Sequence, residues 1–268
     1  MKRIAIVVSH PGMIRAFLQD QIGALSLEYE VWVVARVASE KELAFLPDRV
    51  RLYPVQIERR PAPLRDLAAL WALFRFFRRT RLALVHSLTP KAGLLAMAAA
   101  FAAGVPVRLH TFTGQVWVTR RGWSRGLLKS ADRAIALLAT DLLLDSPSQQ
   151  DFLMGEGVLR PGMSSVLADG SIGGVDTVRF APDVVVRKAV RAELGIPDEG
   201  VLFLFVGRLT LDKGVLELAQ AFRRVSSSMD GTYLVLVGPD EERLLERPIL
   251  KETERLITWI TLTSPSGT

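Results

Sequence analysis

The chain has 268 residues, of which 49% are hydrophobic and 23% charged, a globular composition long enough for one large domain or two ordinary ones. It contains no cysteine, which excludes disulfides, thiolate zinc sites and a thiol nucleophile, and its three histidines argue against a His-rich metal site. The net charge of +6 suits an anionic partner such as a phosphate, a nucleic acid or a lipid surface. No apolar run reaches the ~20 residues of a spanning helix, so we predict no transmembrane segment.

Strand-length apolar runs alternate with helical patterns from the start of the chain, which predicts a parallel sheet covered by helices on both faces. The predicted strands are Arg3–Ser9, Glu30–Ala35, Val50–Val55, Leu82–Ser87, Val107–Phe112, Leu142–Asp145 and Val166–Ala168. Apolar residues at helical spacing predict one helix through Ile14, Phe17, Leu18, Ile22 and Leu25, and another through Leu64, Leu67, Leu70, Phe74 and Phe77.

A glycine-rich stretch from Asp169 to Asp176 ends this series and predicts a domain boundary. We therefore expect a first domain of residues 1–172, a hinge of residues 173–183 and a second domain of residues 184–268. The second domain repeats the α/β alternation, with a helix from Val184 to Leu194, strands Val201–Val206, Tyr233–Val237 and Leu256–Leu262, and helices through Val215 to Val225 and Glu241 to Glu254. Three short strands give little core, so we expect this domain to be incomplete.

The strongest chemical signal lies between Val206 and Gly214, where a buried strand runs into a loop and then a helix. Ligands of open α/β sheets bind at the carboxyl ends of the strands. Gly207 lets the backbone come close, Arg208 can fork onto two phosphate oxygens, and Lys213 adds a second positive charge. The segment predicts a pyrophosphate clamp. The alternative is a loop whose two cations are simply solvated.

This loop belongs to a longer pattern that resembles glycosyltransferase family four. The blocks that carry the resemblance are His86 to Leu94, Leu109 to Trp117, Gly174 to Pro182, Phe205 to Gly214 and Leu234 to Gly238. They occur in the family's order and span nearly the whole chain. The second block is similar to a bacterial subgroup whose members extend lipid-linked oligosaccharides or capsular polysaccharide units.

The resemblance implies an α/β protein of the GT-B fold, with two Rossmann-like doubly wound parallel-sheet domains that face each other across a cleft. The second domain would bind a nucleotide diphosphate sugar, expected to be UDP-linked, and the first would bind a polyprenyl-linked or glycan acceptor. A hexosyl group would be transferred with retention of configuration. No cofactor and no metal are expected, because Arg208 and Lys213 would neutralise the leaving diphosphate.

The resemblance also indicates site residues in the first domain. Gly12 would approach the donor diphosphate, although one glycine in a strand–helix turn is common for steric reasons alone. Thr113 stands where many relatives have a histidine, and His110 lies nearby but is expected to point to the other side of its strand. Lys91 could meet an acceptor phosphate or be a solvated lysine at a helix start. No catalytic residue is assigned.

A basic, aromatic helix suggests contact with a membrane surface. Trp71, Arg75, Arg78 and Arg79 are the candidate contacts, with aromatic rings in the lipid interface and arginines on anionic headgroups. A second basic stretch, Arg120 to Arg125, agrees with this interpretation. The alternative is a core helix with a basic outer face. We therefore expect a cytoplasmic protein attached peripherally to the inner face of the plasma membrane.

The sequence departs from the family after Val237, because the segment in which relatives carry two glutamates separated by seven residues is missing. Glu241, Glu242 and Glu246 are expected to lie on a different element and are not assigned to that role. We expect a C-terminally truncated chain, ending in unfamiliar residues from Thr261 to Thr268, whose own activity is in question. One alternative is a non-catalytic remnant of the fold that binds membrane lipid or a partner. Another is a nucleotide-sugar epimerase, which would need acid–base groups in the cleft. No NAD-binding glycine motif and no nucleic-acid motif is present.

Overall fold

The computed structural model describes residues 1–37, 39–58, 62–251, 253 and 256–260, and the chain divides into two compact units, Met1–Val175 and Asp176–Thr268. The strands of the first unit are β1 Arg3–Val7, β2 Glu30–Ala35, β3 Arg51–Pro54, β4 Leu84–Ser87, β5 Val107–Phe112, β6 Asp141–Leu144 and β7 Ser164–Val166. Its helices are α1 Pro11–Met13, continued by a π-helical turn Ile14–Leu18, then α2 Gln19–Glu28, a 3₁₀ turn Glu40–Leu43, α3 Pro63–Thr80, α4 Pro90–Ala102, α5 Gly122–Leu138 and α6 Pro147–Gly155.

The first unit is built on one parallel seven-stranded sheet, as the alternation of strands and helices predicts. The strands lie in the order β3-β2-β1-β4-β5-β6-β7, so the order reverses between β1 and β4. Alternate residues of β1 enter two separate cores: Ala5 and Val7 pack with α3, α4 and α5, whereas Ile4 and Ile6 pack with α2. Helices therefore cover both faces of β1 at the centre of the sheet.

Helix α3 forms where it is predicted, and only part of the predicted apolar stripe is buried: Phe77 enters the core, and Leu70 and Phe74 pack against it. The side chains that enter the core are those of Ala69, Leu73, Phe76 and Phe77, whereas Leu64 is 86% exposed and Leu67 is also exposed. Apolar residues occur on almost every side of this helix, so their spacing fixes the helix but not the face that packs. The exposed Leu64 and Leu67 leave an apolar outer surface at the start of the helix.

The seventh strand also differs from its prediction. It spans Ser164–Val166 rather than Val166–Ala168. Ala168 has a φ of 47° and Gly170 a φ of 100°, and both values lie in the left-handed region. The chain therefore turns where the apolar pattern suggests a continuing strand.

The second unit contains a smaller parallel sheet with the strand order β10-β9-β8. Its elements are α7 Val184–Glu193, β8 Val201–Val206, a 3₁₀ turn Leu211–Lys213, α8 Val215–Ser228, β9 Thr232–Val237, a 3₁₀ turn Leu244–Glu246, α9 Pro248–Lys251 and β10 Leu256–Ile260. The helix predicted from Glu241 to Glu254 is wrong in its extent. Asp240 accepts hydrogen bonds from the backbone of Leu244 and Leu245, and Pro248 starts a separate turn. The predicted chain end, residues 261–268, lies outside the described residues.

Two histidines lie in the middle of the first sheet, His110 buried and His86 half-buried. The hydroxyl of Ser87 lies 2.8 Å from Nδ1 of His110 on the neighbouring strand, and Nε2 of His86 lies 2.8 Å from the hydroxyl of Thr111. Burial lowers the pKa of His86 to about 4 and that of His110 to about 3, the latter with a smaller effect from His86. Both rings are therefore neutral at physiological pH and tie β4 to β5.

The His110 ring fits against the backbone of Gly93 in α4. A Cβ atom built on Gly93 would lie 2.5 Å from Cε1 of His110. Alanine favours a helix over glycine by about 1 kcal/mol, whereas overpacking of a core costs about 1–3 kcal/mol. We predict that Gly93→Ala lowers the free energy of unfolding by up to ~2 kcal/mol, measured by urea denaturation.

The matched control for this prediction is Gly126→Ala in helix α5. A Cβ atom there would meet nothing within 4 Å, so only the helix propensity changes and the variant should be slightly stabilised. Equal effects of the two substitutions would contradict the close packing of His110 on α4.

Candidate functional site

The first sheet brings several of the predicted residues to one edge. Because all its strands are parallel, the loops after β1, β4 and β5 leave from the same side, and the strand order reverses between β1 and β4. Such a reversal opens a crevice that binds ligands in α/β proteins. A hydrogen bond joins the loop after β1 to the loop after β4 at this crevice: the backbone N–H of Ser9 donates to the hydroxyl of Thr89 at 3.2 Å.

Gly12 lies in helix α1, the short helix that follows β1, and its amide already has a partner. The N–H of Gly12 donates to Nδ1 of His10 at 2.9 Å, and His10 thereby caps helix α1. A Cβ atom on Gly12 would lie 3.0 Å from that nitrogen. The local packing thus gives a steric reason for glycine, which the sequence pattern alone also allows.

Lys91 is the second residue of helix α4, close to the same edge, and is held by a carboxylate. Its Nζ lies 2.6 Å from Oδ1 of Asp66, near the start of α3. Asp66 also accepts a hydrogen bond from the backbone N–H of Ala62. The positive charge of Lys91 is therefore largely balanced by a residue that the sequence patterns did not indicate.

Thr113 and His110 have different surroundings, although they are three positions apart. Thr113 follows the last residue of β5 and is half-buried at the carboxyl edge. The His110 side chain is 1% exposed and points into the core, bonded to Ser87. Only Thr113 of the two can reach a ligand in this arrangement.

The loop after β8 holds Arg208 between carboxylates. Nη1 of Arg208 lies 2.9 Å from Oε2 of Glu241, and Nη2 lies 3.9 Å from Oδ2 of Asp212. A hydrogen bond from Thr210, followed by the charges of Arg208 and Lys213, lowers the pKa of Asp212. The guanidinium is half-exposed and has five N–H donors, so it can hold Glu241 and still offer donors to a phosphate.

The support beneath this loop is a close backbone contact between the ends of β8 and β9. Gly238 has a φ of 149°, and a Cβ atom there would lie 1.8 Å from the carbonyl oxygen of Gly207. The N–H of Gly207 donates to Val237, and the N–H of Leu209 to Pro239. Lys213 is exposed in the 3₁₀ turn just before Gly214, where α8 begins.

The turn after β5 is anchored by a buried pair that the sequence patterns did not indicate. The indole N–H of Trp117 donates to Oδ2 of Asp132 at 2.7 Å, and the ring stacks on Phe152. Arg125 and Lys129 lie over the same ring and form ion pairs with Glu156. Trp117 is fully buried, so it fixes the path of the chain between β5 and α5.

The predicted membrane-contact residues lie on the outer side of α3. Trp71 is 57% exposed and stacks on Phe74, and Arg75, Arg78 and Arg79 are exposed along the C-terminal half of the helix. The other aromatic residues of the segment, Phe76 and Phe77, belong to the core. Among the described helices, none combines the length and the apolar character that a membrane span requires.

Comparison with known proteins shows two family matches along the chain. A model described as the glycosyl transferase 4-like domain matches residues 12–162, and one described as glycosyl transferases group 1 matches residues 186–260. The first match lies in the first compact unit and the second in the second unit.

Two relatives are similar to the chain at the sequence level. The capsular polysaccharide biosynthesis glycosyltransferase CapM of Staphylococcus aureus is 27% identical over 69% of this chain and 48% of its own length. The UDP-Gal:alpha-D-GlcNAc-diphosphoundecaprenol alpha-1,3-galactosyltransferase of Escherichia coli is 27% identical over 74% of this chain and 51% of its own length. The chain therefore spans about half the length of the curated relatives it matches.

Solved structures share the fold at lower identity. HepE of Anabaena, whose structure contains UDP and glucose, has a TM-score of 0.69 at 17% identity and is matched over 97% of this chain and 69% of its own. A UDP-GlcNAc 2-epimerase from Neisseria meningitidis has a TM-score of 0.62 at 13% identity, over 97% and 72%. The fold is GT-B, an α/β architecture of mostly parallel sheets that hosts more than one chemistry.

The buried carboxylate that anchors the turn after β5 makes stability depend on pH. Burial raises the pKa of Asp132 to about 6, and the hydrogen bond from Trp117 only partly offsets the rise. Because the folded pKa lies above the unfolded value of 3.8, the folded state favours the protonated carboxyl, and stability falls as pH rises from about 4 to about 6. A difference of two pKa units corresponds to ~3 kcal/mol.

We predict that Asp132→Asn removes most of this fall, because the amide oxygen still accepts from Trp117 but carries no charge. The free energy of unfolding, measured by urea denaturation across this pH range, should then fall less with pH than in the wild type. The exposed Asp151 offers a control, and Asp151→Asn should leave the profile unchanged. Parallel profiles for wild type and Asp132→Asn would show that Asp132 does not cause the fall in stability.

Proposed function

We propose that this chain, which belongs to the glycosyl transferase 4-like family, is part of a sugar-transferring enzyme. In this proposal the chain supplies the acceptor-side domain and the diphosphate-binding loop of a glycosyltransferase. The enzyme moves a hexosyl group from a nucleotide diphosphate sugar to a lipid-linked glycan during surface polysaccharide synthesis. The observation that carries the proposal is the pair of cations Arg208 and Lys213 between the end of β8 and the start of α8.

The proposed chemistry follows from the charge that develops on the leaving group. Breaking the bond between sugar and diphosphate places negative charge on the diphosphate, and prepositioned donors stabilise that charge. Arg208 offers a planar fork of donors, Lys213 a point charge, and the first turn of α8 its backbone N–H groups. These groups support metal-independent transfer, and the resemblance to retaining enzymes supports retention of configuration.

The proposed substrates are a UDP-linked sugar and a polyprenyl-linked acceptor. UDP is bound in the HepE structure, and the E. coli relative is named for transfer from UDP-Gal to a diphosphoundecaprenol-linked sugar. Thr113, at the carboxyl edge of the first sheet, is the proposed acceptor-side contact. We further propose a peripheral position at the inner face of the plasma membrane, with Trp71, Arg75, Arg78 and Arg79 of α3 towards the lipid.

A non-catalytic role is the second candidate, and one observation favours it. Arg208 is already paired with Glu241 and Asp212, so its contribution to the protein can be structural. The epimerase alternative is less favoured, because all three histidines already have structural partners. His110 is buried and bonded to Ser87, the half-buried His86 is bonded to Thr111, and His10 accepts from Gly12.

We predict that Arg208→Ala weakens binding of UDP and of UDP-sugars about 10- to 100-fold, since a hydrogen bond to a charged group contributes ~1.5–3 kcal/mol. The dissociation constant would be measured by isothermal titration calorimetry on the whole chain. Arg243→Ala is the control, because Arg243 is an exposed arginine of the same unit that pairs with Glu246. Wild-type affinity in Arg208→Ala, with only the stability lowered, would favour the non-catalytic role.

A complementary substitution tests whether Glu241 competes with the ligand for Arg208. Glu241→Gln removes the negative charge opposite the guanidinium while keeping a hydrogen-bond acceptor. We predict that it tightens UDP binding by up to about fivefold, as expected for loss of one exposed competing charge pair. Weaker binding in this variant would instead show that Glu241 is needed to orient Arg208.

A further inference from the structure

Besides the outer side of α3, a second apolar surface is exposed. It lies at the turn after β5 and on the first turns of α5. Its exposed apolar residues are Val116, Val118, Trp123 and Leu127, and we call these four, with Arg120 and Arg121, the turn patch. Trp123 is 81% exposed and Leu127 is 61% exposed. The two lie four positions apart on α5, so their side chains project from the same side of the helix.

The buried Trp117 explains why the turn patch faces outward. Its ring is enclosed by Phe152, Arg125 and Lys129 and its N–H is bonded to Asp132, so the turn cannot roll over to bury its neighbours. Val116 and Val118 on either side of it are consequently exposed. The exposure of these residues is thus built into the fold.

The charge of the surrounding chain has one sign. No Asp or Glu occurs from Leu67 to Ala131, although the chain has 28 of them in all. The same stretch contains the cations Arg75, Arg78, Arg79, Arg81, Lys91, Arg108, Arg120, Arg121, Arg125 and Lys129. Arg125 and Lys129 share the single carboxylate of Glu156, whereas Arg120 and Arg121 are exposed and form no ion pair among the described residues.

Exposed tryptophan and aliphatic side chains beside unbalanced arginines match the interface of an anionic bilayer. The indole ring partitions into the headgroup region, and each arginine gains from the negative surface potential. We propose that the turn patch inserts into an anionic lipid surface. This inference rests on the proposed function, because the turn begins at Thr113 and would bring the acceptor-side edge to the level at which a lipid-linked substrate carries its sugar.

Vesicle sedimentation of the whole chain tests the proposal, with vesicles of phosphatidylcholine alone or mixed with phosphatidylglycerol. We expect binding to the mixed vesicles, weakened about fivefold for each of Arg120→Ala and Arg121→Ala. Leu127→Ala should weaken binding severalfold and Trp123→Ala about tenfold. Leu167→Ala is the matched control, because Leu167 is also 61% exposed in the first unit but lies outside the patch.

Several outcomes would overturn the proposal. These are no binding to the mixed vesicles, equal binding to both vesicle types, or loss of binding in Trp71→Ala with full binding in Trp123→Ala. Dimers of the lipid-free chain that Trp123→Ala converts to monomers would show a protein interface instead. UDP affinity, measured in parallel, should be unchanged in Trp123→Ala, and vesicle binding by a chain that fails to bind UDP would refute the transferase function alone.

Discussion

The parallel pairing of β1 with β4 is the contact on which the organisation of the first unit depends. Four residue pairs join the strands, from Ile4 opposite Leu84 to Val7 opposite Ser87. The later strands are added to the sheet on opposite sides of this pair, β2 and β3 next to β1 and β5 to β7 next to β4. The loops after β1 and β4 therefore diverge and leave a crevice at their common edge. The acceptor-side candidates Lys91 and Thr113 lie at this edge because they follow β4 and β5, whose carboxyl ends meet there.

Most of the fold could be predicted from the sequence, because its strands are short continuous apolar runs that few other structures accommodate. Strands β2, β5 and β8 have the predicted limits. The errors have local causes. In α3 apolar residues surround the helix and do not reveal the packed side, and at Ala168 the backbone turns within an apolar run. The hydrophobic pattern of a sequence therefore indicates where a helix or strand lies more reliably than it indicates which face is buried.

The candidate site was predictable in its positions but not in its partners. Arg208 and Lys213 could be placed at the end of a strand because they adjoin an apolar run and a glycine. Glu241 could not be assigned to Arg208, since 33 positions separate them and only the pairing of β8 with β9 brings their loops together. The same holds for Asp66 and Lys91, which meet through the packing of α3 on α4.

The contact between Gly207 and Gly238 has a consequence for the rate at which an anion could enter and leave the loop. With no side chain between them, the ends of β8 and β9 form one stiff base that carries both the guanidinium and its carboxylate partner. Transfer of Arg208 from Glu241 to an incoming phosphate then needs a rotation of side chains and no opening of the backbone. Exposed side chains rotate within picoseconds to nanoseconds, so arrival of the anion by diffusion would be the slower event.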